Sequence, residues 1–540
     1  MSIVTEPVAD TSATRRSFGL ALACVLVPLL ALKLLFNPSP LGDLQRDDGA
    51  FYYQVARHVA EGDGLQTSVS LYHWGLEPLP HQTFSYPLWT LVLGAAGRVT
   101  DLATAAHLLP EALYFATLIA LYGLARRVAE FWGNADHVLL PGGIRLNAGH
   151  MAVLLFGFNP VFFEFTSLPF AEGLTFSLAF GAFLLLSSFD DSRRPVARGV
   201  VLGVVGALAF LARSQMIGLP LSIAAALALV GWRDRTYRRA ALACALASMT
   251  VMAGWVLHVF ASIEHFTPAM LIDHTRVHES AALLPHLWLV KAPSILATVT
   301  GDLEGLLTAF NPASRFSYFR SFGPMAYLVP FSAVILVADR KQWGAMTPRL
   351  TTPPFALAAA VVTCGLTSLL PVHLMHAFRW GGWFFQFRHG LPLIFLLIVA
   401  TPYLMNRHRM TRAIVLILLA GSVVMNGYQV ARVMAARHAE PTEGQHALGK
   451  WIDDQPRVPL LLSAIAAPLG ALTRGSFHWI ACDDSGAQTR TYFKDLNVDY
   501  LVTLEPDRAC PFFSEVKTSL HEVQSFGTAD DRLTLWSFTE

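Results

Sequence analysis

The chain is poor in charged residues and in cysteine. Of its 540 residues, 14% are charged, against about 25% in an ordinary soluble domain. So low a share excludes a disordered chain, a nucleic-acid-binding protein and most soluble enzymes. The five cysteines are spread thinly, and none has the spacing of a zinc site. The formal net charge of +1 gives no indication of a strongly acidic or basic partner.

Long apolar runs are what the sequence has instead. Apolar residues make up 54% of the chain, and the mean hydropathy is +0.46. The first run, 17–36, is followed by Pro38 and Pro40 and by no small-residue cleavage site, so we interpret it as a retained helix. Ten further runs lie at 106–125, 149–165, 172–188, 197–212, 215–231, 239–260, 323–338, 354–371, 389–405 and 411–428. We predict a polytopic α-helical membrane protein with about eleven transmembrane helices in a lipid bilayer.

The positions of Lys and Arg predict the orientation, because loops that stay inside carry an excess of both. With the N-terminus inside, every inside segment is basic, from Arg15 and Arg16 at the start to Arg407, Arg409 and Arg412 near the end. The short outer segment 166–171 has neither Lys nor Arg. We therefore predict that the N-terminus lies inside and that the tail, 429–540, lies outside.

This topology divides the chain into two predicted domains. A transmembrane domain, 1–428, carries a first outer loop at 37–104 and a long outer loop at 261–322. The tail, 429–540, is predicted to form a small extracytoplasmic α/β domain. Its predicted elements are a helix at 444–453 and strands at 458–463, 498–503 and 533–538. Cys482 and Cys510 form a disulfide if the outer compartment is oxidising.

An acidic pair in the first outer loop is the first candidate site. Asp47 and Asp48 precede an amphipathic stretch, 49–61, which Gly62 and Gly64 end. We predict that this stretch is a helix at the outer membrane surface. One aspartate suffices as an N-cap and suits the positive end of the helix dipole, so capping leaves the second unexplained. A catalytic pair and a helix cap both fit the sequence.

Two further charged residues lie at the outer ends of spans. Glu172 follows Pro169 at the mouth of a span, and a carboxylate facing hydrocarbon costs about 2.5–3.5 kcal/mol, so it faces a cavity or a partner, or caps the helix. Arg213 lies in a tight outer turn, where arginine is disfavoured. Binding of a phosphate or carboxylate accounts for it, and so does a snorkelling side chain.

The segment 373–395 joins basic residues to aromatic ones. A membrane belt explains the aromatic rings but leaves five basic side chains unexplained. Those five are His373, His376, Arg379, Arg388 and His389. An anion-binding loop at the membrane face explains both groups. His373 and His376 have no third metal ligand near them in the sequence.

The membrane part of the chain, roughly 15–428, resembles the GT-C glycosyltransferases, integral-membrane enzymes that use polyprenyl-phosphate-linked sugars. The string DDGAFYYQVARHVAEGDG, followed by SYPLWTLVLG, is similar to the first outer loop of that superfamily. FLARSQMIGLP and FRHGLPLIF are similar to its recurrent arginine segments. Residues 81–86 read HQTFSY, where related chains often carry an Asn-Gly-Tyr-His string, so the acceptor contacts stay open.

The resemblance implies an inverting transfer from a polyprenyl-phosphate sugar to a hydroxyl of a cell-envelope glycan, lipid or protein. Asp47 or Asp48 supplies the base, Glu172 is a second acidic residue, and Arg213 and Arg388 hold the donor phosphate. Whether a divalent metal such as Mg²⁺ or Mn²⁺ takes part stays open, since two aspartates serve either way. The arginine- and alanine-rich composition favours a bacterial source and therefore an inner membrane, and the predicted topology has the active site facing outside.

A transporter or lipid flippase is the alternative interpretation. Transporters often show paired repeats and charged or broken helices at the membrane midplane. Here the polar residues cluster in outer loops, the spans are unpaired, and a polar tail follows. This pattern favours an enzyme whose partners are a lipid-linked donor and an envelope acceptor, with no nucleic acid.

Overall fold

The computed structural model describes most of the chain. The described residues are 11–35, 47–70, 79–83, 87–132, 138–139, 145–189, 194–232, 234–262, 321–338, 352–377, 387–435, 441–480, 486–505, 507, 510–528 and 531–539. Almost all of the long outer loop predicted at 261–322 lies outside these ranges.

Helices dominate the first 435 residues. They are α1 (Thr11–Leu35), α2 (Asp47–Glu61), α3 (Pro87–Val99), α4 (Leu102–Phe131), α5 (Ala148–Gly157), α6 (Pro160–Phe165), α7 (Glu172–Ser187), α8 (Pro195–Ala212), α9 (Gly218–Gly231), α10 (Arg235–Ser262), α11 (Leu328–Ala338), α12 (Pro353–Ala377), α13 (Leu393–Met405) and α14 (Arg409–Ala435). Two short antiparallel pairs accompany them: β1 (Gln66–Thr67) with β3 (His81–Gln82), and β4 (Val138–Leu139) with β5 (Arg145–Leu146).

The prediction of a helical membrane protein is confirmed. Within the described residues, five helical stretches are long and apolar enough to cross a membrane. They are Leu102–Glu130, Pro195–Ala212, Ser214–Gly231, Arg235–Val259 and Arg409–Arg432. Six shorter apolar helices lie at the other predicted runs: Ala21–Leu35, Ala148–Gly157, Glu172–Ser187, Gly323–Val337, Pro353–Leu369 and Leu393–Met405. The count of eleven spans and their orientation stay predictions.

Helices α8 and α10 pack with their backbones unusually close. A Cβ atom built on Gly203 would lie 2.2 Å from the carbonyl oxygen of Cys244, and one on Gly199 would lie 2.4 Å from that of Ala240. The two glycines are four residues apart and form a GxxxG pattern, which lets membrane helices approach. This contact fixes α8, and α8 ends directly before Arg213.

The polar tail forms a sheet with helices. Its elements are α15 (Glu443–Asp453), β6 (Leu460–Ser463), α16 (Ala466–Leu472), β7 (Ser476–Trp479), α17 (Gly486–Leu496), β8 (Tyr500–Leu504), α18 (Pro511–Ser514), β9 (Leu520–Phe526) and β10 (Leu533–Phe538). The predicted helix and the three predicted strands are confirmed as α15, β6, β8 and β10. The sequence did not predict β7 or β9. Whether the tail lies outside the membrane stays a prediction.

The sheet includes a strand from the first outer loop. β2 (Val69–Ser70) pairs in parallel with β7, and the strand order is β2-β7-β6-β8-β10-β9. The pairs β7–β6 and β6–β8 are parallel, whereas β10 is antiparallel to β8 and β9. The boundary drawn at residue 429 therefore separates β2 from the sheet to which it belongs.

One tail cysteine is disulfide-bonded. Cys510 forms a disulfide, whereas Cys24, Cys244 and Cys364 are free thiols. Cys482 lies outside the described residues, so its pairing with Cys510 stays a prediction.

Helix α2 is enclosed on several sides. It begins and ends close to the predicted bounds, and Gly62 and Gly64 follow it with φ angles of +104° and +84°. Residues 50–56 are all buried, because α3 and α16 pack against the helix. Arg57 Nη2 donates to the Gly470 carbonyl at 3.0 Å. The first outer loop is thus held between the membrane helices and the tail.

Candidate active site

Ion pairs connect four charged side chains at the place where α2, α7 and α8 meet the turn at Phe387–Gly390. Arg388 Nη2 donates to Asp48 Oδ2, and Arg213 Nη1 donates to Glu172 Oε1. Arg388 Nε lies 3.9 Å from the same Glu172 oxygen. The ion pairs therefore connect Asp48 to Arg388, Arg388 to Glu172, and Glu172 to Arg213, so that the signs of charge alternate.

Local structure explains where each of the four residues lies. Asp48 lies in the first turn of α2, and Glu172 begins α7, so both carboxylates lie at helix N-termini, whose partial positive charge favours them. Arg213 is the C-cap of α8, in extended conformation. Arg388 lies in a 3₁₀ turn directly before α13. The ends of separate elements thus converge on one point.

Burial separates Asp48 from the other three residues. Glu172, Arg213 and Arg388 are 1%, 4% and 6% exposed, whereas the Asp48 side chain is 24% exposed. Buried charges are tolerated when they are paired, and here two carboxylates neutralise two guanidinium groups. Glu172 Oε2 is buried and has no hydrogen-bond partner among the described residues. Asp48 is therefore the carboxylate that an incoming molecule can reach.

Two phenylalanine rings contact Arg388, and a tryptophan holds the segment that carries one of these rings. The Arg388 guanidinium lies 5.3 Å from the ring centroids of Phe165 and Phe170, a distance at which cation–π attraction acts. Trp89 Nε1 donates to the Pro169 carbonyl oxygen at 2.7 Å. The Pro-Leu-Trp string of the first outer loop thus supports the segment that carries Phe170.

The structure brings four of the predicted site residues together, and the rest are described only in part. Asp47 begins α2, His373 and His376 lie in α12, and His389 lies in the turn at Phe387–Gly390. The side chains of these four residues, and the whole of Arg379, lie outside the described part. The roles assigned to all nine residues stay predictions.

Sequence reasoning missed a buried lysine beside this site. Lys33, near the end of α1, is 3% exposed, and its Nζ lies 3.4 Å from Glu111 Oε1. Lys33 falls inside the first apolar run, where a charged side chain is itself a signal of function. Glu111 likewise falls inside the second run.

A second group of titratable residues lies at the other end of α2. One ligand atom from each of His58, Glu61 and Asp63 lies within 4.8 Å of the others. His58 Nδ1 lies 3.1 Å from Asp63 Oδ2, and His58 Nε2 lies 2.6 Å from Ser68 Oγ. Both ring nitrogens are thus already hydrogen-bonded. The three residues line a cavity of about 350 Å³ together with Arg57 and Arg474.

The four residues connected by ion pairs, Asp48, Arg388, Glu172 and Arg213, do not fit a divalent metal. Mg²⁺ and Mn²⁺ prefer several oxygen ligands, and the described side chains here offer two carboxylates, those of Asp48 and Glu172. Each of these carboxylates already contacts a guanidinium, whose positive charge would repel a cation at this distance. No step proposed below passes through a metal.

Comparisons with known proteins give structural relatives only. No protein-family model and no curated protein sequence matches the chain. The oligosaccharyltransferase of Archaeoglobus fulgidus, solved with Zn and sulfate, matches with a TM-score of 0.54 at 13% identity, over 88% of this chain and 67% of that chain. Its complex with an inhibitory peptide and a dolichol-phosphate gives 0.52 at 13% identity, over 89% and 69%.

A bacterial enzyme matches over nearly its whole length. ArnT from Cupriavidus metallidurans, in the apo state, gives a TM-score of 0.53 at 13% identity, over 96% of this chain and 98% of that chain. At such low identity the likeness concerns the fold alone: the chain shares the fold of these solved structures, and at that level the resemblance to the GT-C glycosyltransferases is confirmed.

Proposed function

We propose that the protein is an inverting glycosyltransferase. It moves a hexose or pentose from a polyprenyl-phosphate donor to a hydroxyl of an envelope glycan, lipid or protein, on the outer face of a bacterial inner membrane. The observation that carries the proposal is the set of ion pairs that connects Asp48, Arg388, Glu172 and Arg213 in a GT-C fold. The dolichol-phosphate bound to the archaeal relative supports a lipid phosphate as the donor's carrier.

The two arginines supply the site for the donor phosphate. Guanidinium groups bind phosphate oxygens through two parallel hydrogen bonds. A polyprenyl-phosphate sugar is a phosphodiester with one negative charge, and the released polyprenyl phosphate carries nearly two. Because the charge increases as the bond breaks, Arg388 and Arg213 stabilise the transition state more than the bound donor.

Asp48 is the proposed base. It takes the proton of the acceptor hydroxyl, and the oxygen attacks the anomeric carbon from the side opposite the phosphate. The bond from that carbon to the phosphate oxygen breaks, and its electron pair leaves with the polyprenyl phosphate. Asp48 is assigned this role because its carboxylate contacts Arg388 and is partly exposed; the side chain of Asp47 lies outside the described residues.

The ion pair between Asp48 and Arg388 predicts the order in which the donor and the acceptor bind. A donor phosphate that binds Arg388 takes the place of the carboxylate and releases it. The donor therefore binds first, and its binding frees the Asp48 carboxylate to take the proton of the acceptor hydroxyl.

A transfer assay tests the proposal. Purified protein receives radiolabelled polyprenyl-phosphate sugars and a crude envelope acceptor fraction, with Asp47→Asn and Asp48→Asn beside the wild type. We expect label to reach the acceptor with the wild type and to fall about 10²–10⁴-fold with Asp48→Asn. Glu130→Gln is the matched control, because it neutralises an exposed carboxylate in an exposed ion pair.

Three outcomes of this assay argue against the proposal. Equal transfer by Asp48→Asn and the wild type refutes the base. Loss of transfer in Asp47→Asn alone moves the role to its neighbour. A wild type that transfers no label from any donor, and instead moves the lipid across vesicle bilayers, replaces the transferase with a flippase.

Arg388→Lys tests the phosphate site separately. Lysine keeps the charge but loses the planar group that lies over Phe165 and Phe170 and bonds phosphate through two nitrogens. We expect transfer to fall about 10²–10³-fold, as when one transition-state donor is removed elsewhere. Full activity in this variant would show that charge alone suffices.

A further inference from the structure

Lys33 makes an unusually dense set of contacts for a residue in an apolar helix. Its Nζ donates to Ser167 Oγ at 2.6 Å, to the Phe163 carbonyl at 3.0 Å and to Thr166 Oγ1 at 3.3 Å. The Glu111 carboxylate lies 3.4 Å from the same nitrogen. A lysine kept at such a place costs several kcal/mol of insertion free energy on some scales, so the contacts it makes need explaining.

These contacts fall on the segment that leads into the site. We name residues 163–172 the support segment. All ten residues are buried. It carries the two rings beneath Arg388, those of Phe165 and Phe170, and it ends at Glu172, which bonds Arg213. Both arginines of the proposed phosphate site therefore depend on where this segment lies.

Two anchors fix the support segment from different sides. Lys33 holds its beginning from α1, through a carbonyl and two hydroxyl groups. Trp89 holds its middle from α3, through the Pro169 carbonyl. The segment has few helical hydrogen bonds of its own between α6 and α7, so these side chains supply the partners that its buried polar groups require.

We propose that Lys33, paired with Glu111, is a positioning residue for the donor phosphate. It acts through the support segment, by setting where the two rings and Glu172 hold the arginines. The inference rests on the proposed function, since the arginines must bind a phosphate. It assigns no contact between Lys33 and the donor.

Binding of a polyprenyl phosphate to the purified, full-length protein tests this inference. The probe is a short-chain polyprenyl phosphate, titrated into wild type, Lys33→Met and Ser167→Ala in detergent, with the thermal unfolding of each recorded. Ser167→Ala removes one hydroxyl and keeps the charge, so it serves even if Lys33→Met fails to fold. Arg127→Met is the control, because it removes a cation from an exposed ion pair on α4.

We expect Lys33→Met to bind the probe about tenfold more weakly, equivalent to about 1.4 kcal/mol, and Ser167→Ala about threefold more weakly, with the control unchanged. In the transfer assay the donor KM should rise in the same order. A purely structural role instead lowers the amount of active protein, which reduces apparent kcat and leaves the donor KM unchanged.

Two results overturn the inference, and they are distinct. If the wild type binds the probe and both variants bind it equally well, Lys33 does not position the site, whatever its effect on stability. If the wild type itself fails to bind any polyprenyl phosphate, the proposed function fails, and the positioning role fails with it.

Discussion

The close contact between α8 and α10 gives a prediction that can be worked out in energies. Gly203→Ala places a Cβ atom 2.2 Å from the Cys244 carbonyl oxygen, whereas real contacts of this kind exceed 3.0 Å. The helices must separate by about 1 Å, and overpacking of this kind costs about 1–3 kcal/mol. Helix propensity opposes it, since alanine is better than glycine by about 1 kcal/mol.

A matched glycine isolates the steric contribution. Gly254 lies on α10, the helix that packs against α8, and a Cβ built there meets nothing within 4 Å. Gly254→Ala therefore gains the helix propensity without the clash. The two variants should differ by the overpacking alone, about 1–3 kcal/mol, with Gly203→Ala the less stable.

Thermal unfolding, monitored by thiol labelling, measures the difference in stability between the two variants. Cys244 is fully buried in the folded protein, whereas Cys24 is exposed, so a Cys24→Ser background reports the opening of the core. Transfer activity should fall in Gly203→Ala as well, because α8 ends at Arg213 and carries it along. Equal unfolding temperatures for the two glycine variants would refute the close helix contact.

Two further predictions concern single hydrogen-bonding groups. Trp89→Phe leaves the buried Pro169 carbonyl without its donor, which should cost about 1–3 kcal/mol in thermal unfolding; an unchanged transition would contradict this. In the tail, hydrogen bonds from Thr528 and from the Gly444 N–H hold the pKa of the Asp531 carboxyl well below its ordinary value of 3.8. The ionised Asp531 carboxylate stabilises the tail fully at pH values above that ordinary pKa, and this stabilisation is lost as the pH falls through the folded pKa. Asp531→Asn should therefore lower tail stability at neutral pH, and this deficit should shrink in acid. A deficit that stays constant down to strongly acidic pH would contradict the assignment.

The sequence predicted the helices well, because apolar length is a local property. Each predicted apolar run contains an apolar helix in the described residues. The run 149–165 was wrongly predicted as one span, because it is broken into α5 and α6 at Asn159, which caps α6. The strands were harder. β2 and β7 are two and four residues long, and they form because distant segments meet, which no local pattern records.

The site was predictable where a residue is out of place in its own surroundings. Glu172 and Arg213 stand out as charges at the mouths of apolar runs, and the structure places them in one ion pair. The pairing itself could not be predicted, since it joins the ends of two different helices. Lys33 carried the same signal inside the first run, but its meaning depends on contacts with a segment about 130 residues later.

The strand that the first outer loop lends to the tail has a consequence for how the protein is made. Arg57 and its hydrogen-bond partner Gly470 are 413 positions apart, and helices α3 to α15 lie between them in the chain. Helix α2 is synthesised early, whereas α16, which packs against it, emerges only after α14. Packing around α2 is therefore completed only when the tail docks, and until then a nascent chain holds this helix without part of its cover.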